Sequence, residues 1–313
     1  MHALARQNHV QTGQQDVARQ QRGSICLGLV TRREGHWDES VAYFEQALAL
    51  DPQNVDLLEQ TAFTYAALRQ FPAALKLYDR ALDILPNDPD LTAIKARFYQ
   101  AQGNLQKAAK MLVEVNAQTP SATAFVTKIT QLRLERNDAE AVGLLQVRQA
   151  QFHFACELQK GFNQLMLAGS QRDAGDAASA KATAEQARHT LEPLVYKDQK
   201  DNAYFTGNLS VVYAALGNKD SALKEAERAI MLLPSTQDPV DGPTYEENLA
   251  LIQTIFGENS RAISTLTRLL QTPSTSWCYG STPITPALLR LDPLWDPLRS
   301  DPAFQKLCDE KQP

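Results

Sequence analysis

Residues 55–88 read VDLLEQTAFTYAALRQFPAALKLYDRALDILPND and combine two amphipathic segments with a short polar turn between them. Their small and aromatic residues recur at the three- and four-residue intervals of a helix face: Ala62, Tyr65, Ala74, Tyr78 and Ala81. Pro86 then closes the segment, because proline cannot continue a helix. The same pattern reappears 34 residues earlier and 34 residues later. A fixed period of this length is typical of a solenoid of helix pairs.

The repeat divides most of the chain into successive units. We predict them at residues 21–54, 55–88, 89–122, 123–160, 161–194, 203–236 and 243–276. The first three follow one another without insertion, whereas 123–160 is degenerate and a few residues too long. Residues 1–20 are expected either to fray or to extend the first helix, and residues 277–313 form a proline-rich tail.

The third unit repeats the signature in register. Its members are Ala96, Tyr99, Gly103, Leu105, Ala108, Leu112, Val115 and Pro120. This pattern resembles the tetratricopeptide repeat, in which a small residue, a tyrosine, a turn glycine, alanines and a closing proline hold fixed positions. The resemblance covers about residues 21–276 and implies an all-α, right-handed superhelical solenoid of about seven antiparallel helix pairs. The small residues have a physical reason, since two helices approach closely only where small side chains meet.

The tail is predicted to cap this solenoid with short helices. It contains three Asp-Pro pairs, Asp292-Pro293, Asp296-Pro297 and Asp301-Pro302. Aspartate is a favoured N-cap and proline a favoured first helical residue, so we predict helical turns at 284–290, 294–299 and 302–309. The apolar residues of the tail are expected to cover the exposed face of the last unit, because the end of a solenoid needs covering. Docking to a partner protein is the alternative.

Composition and charge exclude several classes of function. Hydrophobic residues make up 43% of the chain and charged residues 21%, as in a soluble protein that buries a core. The net charge of −5 gives no basic surface for nucleic acid. The chain contains no apolar run that could span a bilayer, and its start lacks the apolar core of a secretory signal. We therefore expect a cytoplasmic protein, or a periplasmic one if it is the detached sensor of a membrane-anchored regulator.

No motif for catalysis or for a metal is present. The five histidines lie far apart, and neither a metal-binding pair nor a glycine-rich phosphate loop nor a nucleophile elbow occurs. Four cysteines, Cys26, Cys156, Cys278 and Cys308, are widely separated and are expected to be small buried thiols. The sequence therefore predicts neither an enzyme nor a protein with a cofactor or bound metal.

By the resemblance, the first helix of each unit lines a concave groove that binds a protein or a peptide. The candidate groove residues are Arg32, Arg33, Asp56, Glu59, Phe63, Arg97, Gln100, Arg172 and Tyr204. Phe63 and Tyr204 are the expected anchors, and Arg32, Arg33 and Arg97 are expected to pair with acidic groups of the partner.

Two more specific hypotheses concern the residues of this groove. Arg32 and Arg33 could instead pair with Glu59 and Asp56 of the next unit. A carboxylate clamp for an acidic chaperone tail is absent, because its positions hold other residue types. Those positions are Ile25, Leu29, Gln60, Asp90 and Ile94.

The sequence thus predicts a non-catalytic protein–protein interaction scaffold. An alternative comes from the tail, LDPLWDPLRSDPAF at 291–304, which resembles the end of repeat regions in bacterial signalling proteins. Those regions are typically fused to a Ser/Thr kinase, a nucleotide cyclase or a winged-helix domain, none of which is recognisable here. The chain could accordingly be a sensory or regulatory module of such a protein, acting in trans or truncated from it.

Overall fold

The protein is an all-α, right-handed solenoid of antiparallel helix pairs with a helical C-terminal cap. The computed structural model describes the backbone of residues 2–198 and 201–310 and the side chains of 18–197 and 201–310. Within these residues seven helix pairs follow one another, and we number them units 1 to 7 in chain order.

Each unit contributes a first and a second helix. The first helices are α1 His2–Arg33, α3 Val55–Ala67, α5 Pro89–Ala101, α7 Ala122–Leu134, α9 Glu157–Asp173, α11 Ala203–Ala215 and α13 Gly242–Ile255. The second helices are α2 Trp37–Leu50, α4 Phe71–Ile84, α6 Leu105–Met111, α8 Asp138–Gln151, α10 Ala177–Pro193, α12 Lys219–Leu232 and α14 Asn259–Gln271. None of these helices, over the residues described, is long and apolar enough to cross a membrane.

Small residues hold the helices of a unit together, as their spacing predicts. In unit 2, Ala62 of α3 and Ala74 of α4 are fully buried. Tyr78 reaches the next unit, where its ring meets Phe98 edge-on at 5.4 Å between centroids. The turn between the two helices of a unit requires a residue in the left-handed conformation, and in unit 3 this residue is Gly103, with a φ of +75°.

Two helix boundaries differ from the repeat pattern. The second helix of unit 3, α6, ends at Met111, well before the predicted end of that unit. Beyond it, Asn116 and Thr119 side chains accept hydrogen bonds from nearby backbone N–H groups, which favours a turn over a helix. In unit 4 the extra residues belong elsewhere, because Glu157–Lys160 form the first turn of α9.

Both ends of the repeat array also have defined backbone. Helix α1 begins at His2, so the residues before the first predicted unit extend its first helix. After α10 the chain continues as a π-helical turn, Leu194–Asp198, which begins the connection between the units predicted at 161–194 and 203–236. Residues 199 and 200 of that connection lie outside the described residues.

The tail forms three short helices near the predicted positions. They are α15 Pro286–Leu291, a 3₁₀ helix Pro293–Leu298 and α16 Pro302–Asp309. Asp292 and Asp301 are N-caps, as their Asp-Pro pairs predict, whereas Pro297 lies inside the 3₁₀ helix. Residues 311–313 of the tail lie outside the described residues.

The tail packs on more than the last unit. Trp295, Leu298 and Phe304 are fully or almost fully buried in one hydrophobic cluster. That cluster contains residues of α13 and α14, and it also contains residues of α2 to α5 at the other end of the chain. The solenoid therefore closes on itself through its C-terminal part.

The C-terminal part of the chain contacts the turns between the two helices of units 1 to 4, beginning with unit 1. Arg33 and Gly35 of unit 1 meet the segment 238–241 that precedes α13. Arg69 of unit 2 donates to the backbone oxygens of Leu269, Thr272 and Ile284 at 2.8 to 3.3 Å. We call residues 272–310, which follow α14, the C-terminal segment.

The ends of the first helices of units 3 and 4, α5 and α7, contact the middle of the C-terminal segment. Thr285 donates to the backbone oxygen of Ala101, at the end of α5. Arg133 of α7 forms an ion pair with the fully buried Asp292, at 2.9 Å between Nη2 and Oδ2. Tyr279 donates to the same carboxylate at 2.8 Å. The tail is thus an internal part of the fold, in addition to capping the last unit.

The cysteines correct one expectation from the sequence. All four are free thiols, but Cys26 and Cys156 are exposed, Cys278 is half-buried and Cys308 is buried. Of the exposed pair, Cys26 lies on α1 and Cys156 directly before α9.

Candidate functional site

The first helices carry all the predicted groove residues, but most of these residues already have partners within the protein. Arg32 is buried, and its guanidinium donates to the Gln60 backbone oxygen and side chain and to Thr64 on α3. The same group lies 4.7 Å from the centroid of the Phe63 ring. Burial lowers the pKa of Arg32 to about 10, so it stays charged at neutral pH. Arg32 and Phe63 therefore join unit 1 to unit 2.

Arg33 pairs with the far end of the solenoid. Its guanidinium donates to Asp238 and, at 2.8 Å, to Asp241, both in the segment before α13. The expectation that Arg32 and Arg33 pair with Glu59 and Asp56 is therefore wrong. The reason is that closure of the solenoid brings two aspartates to Arg33, while the amide and hydroxyl groups of α3 satisfy Arg32.

Asp56 and Glu59 remain on the surface near the starts of α3 and α5. Asp56 is exposed and Glu59 is half-buried. Partial burial raises the pKa of Glu59, and the negative charges of Asp56, Asp88 and Asp90 raise it further. The structure thus gathers an acidic group of side chains here, away from the arginines that they were expected to meet.

Arg97 and Gln100 connect unit 3 to unit 4. Arg97 donates from Nε to the Thr127 hydroxyl at 2.7 Å. Gln100 donates to the Thr127 backbone oxygen at 3.1 Å and to Gln131 at 3.0 Å. Gly280 of the C-terminal segment lies directly on Arg97, since a Cβ added to that glycine would stand 2.5 Å from the guanidinium. The concave face of unit 3 is therefore covered.

The remaining concave face forms an open cavity of about 290 Å³ between units 4 and 7. Both remaining candidates, Arg172 and Tyr204, lie in its wall. Four first helices and the C-terminal segment contribute the lining, which is mainly apolar. The lining includes Val126 and Ile129 of α7, Phe162, Leu165, Met166 and Gly169 of α9, Val211 of α11, Leu251 and Ile255 of α13, and Trp277, Cys278 and Leu294.

Aromatic rings form one wall of this cavity. Trp277 packs between Tyr204 and Tyr245, with ring centroids 6.2 and 6.1 Å away. It fits there because Gly207 of α11 has no side chain, and a Cβ at that position would come within 2.9 Å of the indole. Tyr204 remains 45% exposed at the mouth of the cavity. The segment that follows α14 thus completes a site that the repeat helices begin.

Polar groups fix Trp277 and Cys278 to α13. The buried carboxylate of Glu247 accepts hydrogen bonds from Ser276 Oγ and from the backbone N–H groups of Trp277 and Cys278. Burial raises the pKa of Glu247. Burial, followed by the nearby Glu247 charge, raises the pKa of the Cys278 thiol well above its usual value. The thiol is therefore protonated, and no described residue lining this cavity is a histidine that could activate it.

A second cavity of about 190 Å³ lies beside the first. The two cavities share three wall residues, Val126 of α7 and Phe162 and Met166 of α9. The second cavity is further lined by Ala122, Phe125, Arg148, Phe152, His153, Phe154, Ala155 and Asn163. Arg148 is held there between the Phe125 and Phe152 rings, 4.1 and 3.6 Å from their centroids.

Sequence reasoning missed the residues that lie outside the repeat signature. Trp277 follows the last unit, so no repeat position points to it. Asn208 of α11 is polar at a position of a first helix that the signature does not specify, and it lines the first cavity. The one available signal was an aromatic residue directly after the last unit.

Comparisons with known proteins agree with this architecture. A tetratricopeptide repeat model matches residues 32–98 and 65–132. A tetratricopeptide repeat protein from Parabacteroides merdae ATCC 43184 shares the fold at 18% identity, with a TM-score of 0.52 over 74% of this chain and 83% of that one. No match is found among curated proteins.

Two further solved structures are more distant in shape. PilW, a type IV pilus biogenesis factor, is 18% identical over 68% of this chain and 94% of its own, with a TM-score of 0.46. A thermophilic tetratricopeptide repeat protein from Thermus thermophilus is 15% identical over 79% of this chain and 99% of its own, with a TM-score of 0.36. The matched residues identify 32–132 of this chain as tetratricopeptide repeats, and the Parabacteroides protein shares the helix-pair fold over most of its length.

Proposed function

We propose that the protein is a non-catalytic scaffold that binds a partner protein by its concave face, with an apolar segment of the partner seated in the first cavity. The observation that carries this proposal is the division of that face. The C-terminal part of the chain covers units 1 to 3 and leaves an open, mainly apolar cavity between units 4 and 7.

The residues at the cavity mouth suit a protein interface. Phe162, Met166, Tyr204 and Trp277 are all partly or well exposed, although large apolar groups are usually buried in a protein without a partner. Tyrosine, tryptophan and arginine contribute most to the binding free energy of interfaces, and the exposed Arg172 lines the same cavity as Tyr204. Their coincidence at one opening supports a binding role.

The covered half of the face shows what the solenoid can hold. Residues 280–285 of the C-terminal segment are not helical. Gly280 lies on Arg97 of unit 3, Ile284 accepts from Arg69 of unit 2, and Thr285 donates to Ala101 of unit 3. A non-helical segment held in this way supports a non-helical segment of a partner as the occupant of the open half.

The chemistry of the cavity supports binding over catalysis. Its thiol, Cys278, is protonated, and its ionic pairs Arg133–Asp292 and Arg172–Asp173 are already matched. The regulatory alternative depends on the tail sequence, and the protein uses that tail internally to close its solenoid. We therefore take the scaffold as the function.

Two glycines allow a matched test. Gly169 of α9 lies in the cavity wall, Gly143 lies on the outer helix α8, and an added Cβ meets nothing within 4 Å at either position. Leucine at each position should preserve or raise stability, because glycine costs about 0.5–1 kcal/mol inside a helix. Only Gly169→Leu places a side chain in the cavity.

The experiment is a quantitative pull-down from the native host with the wild type, Gly169→Leu and Gly143→Leu, read by mass spectrometry. We expect Gly169→Leu to lose a partner that the wild type and Gly143→Leu both retain. Retention of every partner by Gly169→Leu, with both variants folded by thermal melting, would contradict the proposal. Phe63 and Arg97 are unsuitable probes because they support the fold.

A further inference from the structure

The wall of the second cavity contains a buried guanidinium that has no carboxylate partner. Arg148 is only 4% exposed, and its guanidinium carbon lies 4.1 and 3.6 Å from the ring centroids of Phe125 and Phe152. Its Nη1 donates to the backbone oxygens of Ala117 and Thr119, both at 2.9 Å. No described residue accepts a hydrogen bond from Nε or Nη2. Three of its five N–H groups are therefore unused.

The unused edge of this guanidinium remains accessible. Nε and Nη2 of Arg148 keep some contact with solvent, whereas the unpartnered Nε of Arg32 is enclosed. The Nη1 edge is occupied by Ala117 and Thr119, neither of which belongs to the cavity wall, and Arg148 does belong to it. The edge formed by Nε and Nη2 is therefore the part of the guanidinium that an occupant of the cavity can meet.

The charge of this cavity differs from that of the first. In the first cavity, Arg133 is paired with Asp292 and Arg172 with Asp173. Within residues 18–197 and 201–310, no aspartate or glutamate belongs to the wall of the second cavity. Arginine stays charged in proteins, and a buried charge is unfavourable unless an opposite charge and hydrogen bonds compensate it. The second cavity is therefore suited to an anion.

The remaining wall suits a single aromatic ring. The cavity has a volume of about 190 Å³, and a cavity of about 150 Å³ accommodates benzene. Phe152 and Phe154 meet edge-on at 5.4 Å between centroids, and Phe162 and Met166 complete an aromatic and thioether lining. Such groups make favourable contacts with an aromatic ring. The two oxygens of a carboxylate match the two-donor edge of a guanidinium, and one guanidinium balances one negative charge.

We infer that the second cavity binds a small aromatic carboxylate, with its ring among the phenylalanines and its carboxylate on the Nε and Nη2 edge of Arg148. This ligand is distinct from the partner protein of the proposed function, which occupies the first cavity. The two proposals therefore stand or fall separately.

The test is isothermal titration calorimetry on the full chain with three probes. They are phenylacetate, its neutral analogue phenylacetamide, and acetate, which lacks the ring. We expect phenylacetate to bind about tenfold or more tightly than either of the others, because only it supplies both the charge and the ring. Arg148 itself is left unchanged, since its Nη1 bonds support the fold.

A matched pair of variants locates the site. Gln159 is exposed in the wall of the second cavity, and its Oε1 accepts from the backbone N–H of Ala155 at 3.1 Å. Gln159→Glu keeps this acceptor and adds a negative charge to the wall, near the start of α9, where a carboxylate is tolerated. Gln46→Glu makes the same change at an exposed position of α2 in unit 1. Thermal melting verifies that both variants are folded.

We expect Gln159→Glu to weaken the binding of phenylacetate about tenfold or more and Gln46→Glu to leave it unchanged. Equal affinities for phenylacetate and phenylacetamide would overturn the role of the guanidinium. Binding that survives Gln159→Glu would place the ligand elsewhere on the chain and overturn the site. Absence of binding at millimolar phenylacetate would also overturn the inference, and the pull-down would still decide the proposed function.

Discussion

Two of the seven turns within the described units place an arginine where the other five place a glycine. Arg69 and Arg136 have left-handed φ values of +61° and +57°. That conformation costs about 1–2 kcal/mol for a residue with a side chain. Each side chain reaches the C-terminal part of the chain, Arg69 at three backbone oxygens and Arg136 at Asp296. The departure from the repeat signature thus marks where the solenoid closes.

The two arginines should respond differently to replacement by glycine. Arg69→Gly relieves strain but removes the guanidinium that donates to the oxygens of Leu269, Thr272 and Ile284, so we expect a net loss of about 1–3 kcal/mol in the free energy of unfolding. Arg136→Gly loses only an exposed ion pair, worth about 0–1 kcal/mol, and should be neutral or slightly stabilising. Urea denaturation measures both. Stabilisation by Arg69→Gly would show that its contacts contribute nothing.

The Asp296 carboxylate should make the stability of the protein depend on pH. The hydrogen bond from Arg136, and then that from Arg299, holds the pKa of Asp296 below its ordinary value. The unfolded chain therefore binds the proton more readily, so the contribution is present above about pH 3.9 and is lost as the pH falls through the folded pKa. Asp296→Asn should lower Tm near neutral pH, and the difference from the wild type should shrink as the pH falls below the ordinary aspartate pKa of about 3.9 and through the lower pKa of the folded state. A constant difference would exclude this ion pair as its cause.

At the scale of elements, local packing was predictable and distant packing was not. Ala74 and Tyr78 pack within their own unit or against the next one, and Gly103 supplies the left-handed turn residue, roles that their spacing in the sequence predicts. The Arg69 hydrogen bond to Ile284 spans 215 residues, and no periodic pattern contains that distance. Arginine at a glycine turn position was the only local sign of it.

The predicted groove residues also fall into two groups, those that line the cavity and those that have partners within the protein. The periodicity placed Arg172 and Tyr204 on the concave face, and both line the first cavity. It also placed Arg33 and Phe63 there, but closure of the solenoid satisfies Arg33 with Asp238 and Asp241 and packs Phe63 near Val240. A pattern of helix faces shows which residues point inward and cannot show what else occupies the space.

The close contact of α3 with α4 provides a test of the packing register. Ala74 is fully buried at this contact. Ala74→Leu should cost about 1–3 kcal/mol, because extra methyl groups in a packed core force side chains and backbone to move. Ala73→Leu is the matched control, since Ala73 is only half-buried on the same helix. Equal melting temperatures for the two variants would contradict the register.

At the scale of the whole molecule, the C-terminal segment turns an open array into a closed one. A tetratricopeptide solenoid usually has contacts only between neighbouring units. Here the hydrophobic cluster that contains Trp295 also contains Phe44 and Phe98 from units 1 and 3. The protein should therefore unfold more cooperatively than an open array, because loss of the C-terminal segment exposes both ends of the chain at once.

A double-mutant cycle measures this long-range contact. Asp292 is fully buried and accepts from Arg133 and Tyr279, so Arg133→Met alone leaves an uncompensated buried charge and should cost about 3–5 kcal/mol. Together with Asp292→Asn the cost should be less than additive, with a coupling of about 1–3 kcal/mol in urea denaturation. The exposed pair Arg136–Asp296 is the control, with a coupling below about 1 kcal/mol. Additivity at Arg133–Asp292 would contradict a direct contact between these two side chains.

Hydroxyl-radical footprinting of two tyrosines in the free wild-type protein tests the central claim most directly. Tyr279 is 4% exposed because the C-terminal segment lies on units 3 and 4, whereas Tyr204 is 45% exposed at the mouth of the open cavity. The two side chains have the same intrinsic reactivity, so their rates report exposure alone. We predict that Tyr204 is modified several times faster than Tyr279. Equal rates would contradict a concave face that is covered in its first half and open in its second.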